Sequence, residues 1–145
     1  MKKFTISFLL LLFGLNVFAV EVSDYSELQN AVNNNEETIT LLQDIEFGST
    51  PLVITSNTIL TSVEGSSFTI KGNNTTSPMF TFYSSSSSVS NINFSSSTAA
   101  NPAVYINISA VEPGHDYSTF TISNVAFLNN TSSTNTGRSE ERRVG

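Results

Sequence analysis

The sequence predicts an all-β chain whose short strands wind into a solenoid. Apolar residues alternate with polar ones over runs of a few positions, Gly, Pro, Ser and Asn punctuate those runs, and inward positions return at intervals of 21 to 24 residues. Alternation with period two puts one face of a strand in a core and the other in solvent. A recurrence near twenty residues marks units that cannot bury an apolar face alone and therefore stack. An antiparallel β-sandwich is the alternative that the same alternation permits.

Met1 to Ala19 reads as a secretory signal peptide. Lys2 and Lys3 give it a basic start, Phe4 to Leu15 an apolar stretch, and Val17-Phe18-Ala19 the small residues before a cut between Ala19 and Val20. The other reading is an uncleaved anchor helix, but the apolar stretch is near or below the roughly 17 residues that cross a bilayer, and Asn16 interrupts its end. The chain has no Cys, which excludes lipoprotein-type attachment, a disulfide framework and thiol chemistry. Without the leader, Lys71 is the sole basic residue before Gly137 and faces ten carboxylates. So acidic a surface repels phosphate and anionic headgroups, and nucleic-acid binding is excluded. Ser, Thr and Asn make up about 45% of residues 20–137, which on composition alone argues for disorder. The placement of the apolar residues argues for a core.

Asp24 with Glu27 three residues on is a capping-box arrangement, and Tyr25, Leu28, Ala31 and Val32 recur at helical spacing. One short helix is expected over about 24–33, closed by Asn33-Asn34-Asn35. From Thr38 onward the strands are expected at the apolar pairs Ile39/Leu41, Ile45/Phe47, Leu52/Ile54, Phe68/Ile70, Phe80/Phe82, Ile92/Phe94, Val104/Ile106, Phe120/Ile122 and Val125/Phe127. Two stacked columns follow from the spacing, Ile45–Phe68–Ile92 and Phe80–Val104–Val125. A local echo, Val89-Ser90-Asn91-Ile92-Asn93-Phe94 against Ile122-Ser123-Asn124-Val125-Ala126-Phe127, points the same way at a spacing of 33. Asn91 and Asn124 are then equivalent turn residues, able to hydrogen-bond along the stack.

The helix Ser26 to Val32, the strand Thr38 to Ile45, the step Ser67-Phe68-Thr69-Ile70-Lys71-Gly72 and the segment Phe120 to Asn130 carry a family resemblance. They resemble the right-handed parallel β-helix, or pectin-lyase-like, surface proteins, as in the N-terminal parts of autotransporter-like adhesins and polymorphic outer-membrane proteins. Phe127 to Asn130 is the Phe-x-x-Asn of the latter, whose Gly-Gly-Ala-Ile motif is missing here. The resemblance covers about residues 22–130. It implies a partial β-helix domain over 20–137 with a cap helix, after the signal peptide read over 1–19. Residues 138–145, Arg-Ser-Glu-Glu-Arg-Arg-Val-Gly, break from the preceding composition and resemble a translated sequencing adapter, so they are expected to be foreign to the fold and the exported protein to be longer.

No catalytic, cofactor-binding or metal-binding residue is assigned. His115 beside Asp116 in the Pro113-Gly114 loop is read as an ordinary turn, since adjacency does not aim a carboxylate at an imidazole. Asp44 and Glu46 share one strand face, yet calcium needs several more oxygens than they supply. Asn73, Asn74, Asn93, Asn107, Asn129 and Asn130 each open an Asn-x-Ser/Thr triplet, which such a composition produces by chance. The expected function is adhesin-like or structural, at the cell surface or in the medium, outer-membrane-associated in a Gram-negative cell. Host or cell-surface proteins or carbohydrates are the expected partners. No cofactor is expected, and a membrane only through an anchor beyond this chain. The alternative is a β-helix polysaccharide lyase or hydrolase with its active site in a missing C-terminal part.

Overall fold

A computed structural model describes residues 19–72, 78–84, 86–95, 98–99, 103–107 and 119–132. Residues 1–18 of the expected leader, His115 and Asp116, and residues 138–145 lie outside them. In chain order the elements are β1 (Val20–Val22), α1 (Tyr25–Asn33), β2 (Thr38–Leu41), β3 (Ile45–Glu46), β4 (Leu52–Ile54), β5 (Ile59–Ser62), β6 (Phe68–Lys71), β7 (Phe80–Phe82), β8 (Ser88–Ser90), β9 (Ile92–Ser95), β10 (Thr98–Ala99), β11 (Val104–Ile106), β12 (Thr121–Ser123), β13 (Ala126–Leu128) and β14 (Thr131–Ser132).

Among the described residues every strand pairing is parallel and joins successive turns of the chain. One sheet runs β1-β2-β5-β8-β12, a second β3-β6-β9-β13, a third β4-β7-β11, and β10 pairs with β14. Three coils, β2-β3-β4, β5-β6-β7 and β8-β9-β11, each contribute one strand to each main sheet, and β12 and β13 extend the first two sheets by a further coil, which is a parallel β-helix and not a sandwich of hairpins. Ile39, Leu60, Val89 and Ile122 pair in turn, at intervals of 21, 29 and 33 residues. The long last interval is the 33-residue echo itself, for Ile122 pairs with Val89 and Phe127 with Phe94.

Two expected columns need correction. Ile45 pairs with Ile70, not with Phe68, because from the paired Leu41 and Ser62 the second coil takes four more residues to reach its partner position than the first does. Phe80 pairs with Val104 as expected, but Val125 lies before β13 in the second sheet and does not continue that column. Strands β1, β5, β8, β10 and β14 were not signalled by apolar pairs. In β5 one inward position is the serine Ser62, whose Oγ donates to the Asn91 carbonyl at 2.6 Å and accepts from the Phe68 N–H at 3.0 Å. A buried hydroxyl so satisfied can replace an aliphatic side chain.

Inside the coils a chain of rings runs along the axis. Tyr25, Phe47, Phe80, Phe94 and Phe127 touch in sequence, with centroids 4.9, 5.6, 5.8 and 5.5 Å apart. These are the edge-to-face and offset separations that aromatic pairs favour. Helix α1 closes the first coil by burying Leu28, Ala31 and Val32. The Asp24 side chain accepts from the Glu27 N–H, while the Glu27 carboxylate takes the Ser23 N–H, one residue earlier than a strict capping box. At its other end the Asn35 N–H reaches Val32 O and the Glu36 N–H reaches Ala31 O around a left-handed Asn35 (φ 57°), a Schellman closure. No described helix is long and apolar enough to cross a membrane.

Candidate functional site

With the interior filled by side chains, anything this chain recognises meets the three outward faces or the corners between them. The β1-β2-β5-β8-β12 face carries a column of hydroxyls, Thr40–Thr61–Ser90–Ser123, with Glu21 at its start. Ser90 Oγ donates to Thr61 Oγ1 at 3.0 Å. A second column, Thr38–Ile59–Ser88–Thr121, lies two residues away on the same face.

Corners bind one coil to the next. Asn91 and Asn124 each make a turn between the first and second sheets with left-handed φ of 55° and 52°. Asn124 Nδ2 donates to Asn91 Oδ1 at 3.1 Å, so the expected link along the stack is present. Asparagine suits both jobs, since it tolerates that backbone region and carries a donor and an acceptor. The opposite corner uses hydroxyls in place of amides. Thr58 Oγ1 donates to Glu36 O, the Thr58 N–H to Ser87 Oγ, and Ser87 Oγ in turn to Ser56 O. Thr58 and Ser87 are buried, and sequence reasoning missed both because serine-rich runs show no periodicity.

The carboxylate pair Asp44 and Glu46 sits on the β3-β6-β9-β13 face as expected, but each acid is taken up by the next coil. Asp44 Oδ1 accepts from the Thr69 N–H at 2.8 Å, and Glu46 Oε1 pairs with Lys71 Nζ at 2.8 Å. The Glu46 hydrogen bond, then its charge, with Asp44 adding, raises Lys71 above its ordinary 10.5 against a smaller opposing desolvation. Among the described residues, no three His, Cys, Asp or Glu side chains converge on a position that could hold a metal ion. Of the Asn-x-Ser/Thr triplets, Asn93 points its amide to Ser67 O, Asn129 is left-handed at φ 53°, and Asn130 Nδ2 donates to Phe94 O.

The β4-β7-β11 face differs from the other two. Val53, Thr81 and Tyr105 are in register as one column on the side of the strands away from Phe80 and Phe82, with Thr81 buried between its neighbours, and Tyr83 follows β7 with its N–H on Ile54 O. Val53, Tyr83 and Tyr105 are each close to half exposed.

Stacked parallel strands, a capped first coil and polar corner ladders define a β-helix that presents flat, neutral to acidic faces. The sequence pattern of the pectate lyase-like adhesive domains matches residues 19–140, and the chain belongs to that family. No curated protein matches the chain. No solved structure does either. The family description is that of an adhesive domain, which places such a module at the cell surface or outside the cell.

Proposed function

We propose that this chain opens an exported surface protein that holds on to its partner through the outward faces of the β-helix and carries out no chemistry there. The observation that supports this is the state of the groups a lyase would use. A proton-abstracting base needs a lowered affinity for its proton. Lys71, the single described cation, is instead held protonated by Glu46. Asp44 is occupied by the backbone of the following coil. In this reading residues 1–19 are a leader cut between Ala19 and Val20, and residues 138–145 take no part in the fold.

The test is a paired assay on the purified chain. Coated on a surface, it retains cells or shed cell-surface material; incubated with polygalacturonate, it releases no new reducing ends. Release of such ends at a rate that Lys71→Met abolishes would overturn the proposal. The leader is tested separately by the first residue of the exported protein, expected to be Val20.

A further inference from the structure

The outward face of β4-β7-β11 carries an aromatic pair for which the interior has no use. Tyr83 is 49% and Tyr105 45% exposed, whereas Phe80 and Phe82 of β7 are fully buried. Neither ring joins the interior aromatic contacts, and neither hydroxyl has a hydrogen-bond partner among the described residues. Exposed tyrosine on a sheet costs solvation without stabilising the core, and such rings are enriched where proteins bind partners.

Their placement is set by the ladder. Tyr105 pairs with Thr81, and Tyr83 lies two positions beyond Thr81 on the same face. The two backbones are thus one coil and two residues apart, on the order of 8 Å along the diagonal. Val53 and Thr81 complete the column beside them and Asn107, whose N–H reaches Phe82 O, lies beside Tyr83. No residue of this patch is charged. The rest of the segment is acidic and has one lysine, which is engaged on another face.

We infer that Tyr83 and Tyr105 form a stacking platform for the pyranose rings of a neutral polysaccharide. A sugar ring presents an apolar C–H face to an aromatic ring and hydroxyls at its rim, where the exposed Asn107 lies. The patch itself is uncharged and the segment that carries it is acidic overall, which selects against uronates, sulfated glycans and nucleic acid. The inference rests on the adhesive reading and adds to it a face and a ligand class.

Affinity electrophoresis of the full chain through gels containing a neutral β-glucan, a neutral galactomannan or polygalacturonate tests it. At least one neutral polymer is expected to retard the chain and polygalacturonate to leave it unretarded. Tyr83→Ala and Tyr105→Ala each weaken retardation about fivefold to tenfold, and Tyr→Phe at either position keeps most of it, since the ring and not the hydroxyl carries the stacking. Far-UV circular dichroism confirms that each variant is folded. Retardation by polygalacturonate alone, retardation unchanged by both Ala variants, or no retardation by any neutral polymer would overturn the platform. In the last two cases cell retention by the coated chain, measured alongside, shows whether adhesion survives on another face or a protein partner, or fails with it.

Discussion

Asn91 shows how much of this molecule depends on single side chains at corners. Its φ of 55° puts an L-residue in the left-handed region, and its Oδ1 receives the amide of Asn124. Asn91→Ala is expected to cost about 1–2 kcal/mol, with Asn91→Gly costing less, because glycine keeps the backbone conformation and loses only the side-chain link. Urea unfolding monitored by circular dichroism checks the order. Lys71 gives a different signature. Its folded-state affinity for the proton is raised, so the Glu46 pairing contributes fully below the ordinary value of 10.5 and is lost as pH climbs through the higher folded value. The stability difference between the native chain and Lys71→Met is therefore expected to be small, constant from neutral pH to about 10, and lost as pH passes through the raised folded-state value. A difference that grew with pH would contradict the sign. These two sites were unequally legible. Asn91 and Asn124 stood out because their flanking residues repeat, whereas the Thr58 and Ser87 ladder is hidden in a run of serines whose buried members look like the exposed ones.

At the scale of elements, the cap and the inward apolar pairs could be read from sequence because amphipathic spacing reports burial directly. Helix α1 begins and ends where Asp24 and the Asn run place it. Strands β5 and β8 were obscured because a solenoid interior narrows at corners and accepts Ser62 or a lone Val89 inward, leaving Ile59 outside. Pairing partners were harder still. Alternation fixes which face a residue takes, but corner length fixes which coil neighbour it meets, and corners here are not uniform. The docking of α1 rests on a close approach that no pattern announces. A Cβ on Gly48 would stand 2.3 Å from the Tyr25 ring, which is held by its contact with Phe47 and by its hydroxyl on Thr50 O. Gly48→Ala is expected to destabilise the chain by about 1–3 kcal/mol, the usual cost of overpacking. Tyr25→Leu, which removes the obstructing ring, should make a second substitution at Gly48 nearly neutral in a double-mutant cycle. A Gly48→Ala cost independent of residue 25 would show that the ring is not the cause.

The whole molecule is a one-dimensional stack, in which each coil is stabilised by the neighbours above and below it. The aromatic chain makes the gradient visible. Phe80 is fully buried between Phe47 and Phe94, whereas Phe127 closes the series at 54% exposure beside Ile122 at 50% and Leu128 at 46%. The helix covers one end of the stack; among the described residues, β12 and β13 pair on one side alone and carry exposed apolar side chains, the kind of edge that invites another strand. Loss of Phe80 should therefore be felt throughout, with Phe80→Ala costing about 3–5 kcal/mol, the range for a buried phenylalanine. Phe127→Ala should cost a fraction of that and reduce self-association. Limited proteolysis with mass readout should cut the purified chain first between about residue 107 and its C-terminus, leaving the coils built on β2 to β9 protected. Sedimentation should show concentration-dependent association that Phe127→Ser weakens. A monomer equally resistant from Val20 to Ser132 would mean that the fourth coil is as stable as the second, and the gradient along the stack would have to be abandoned.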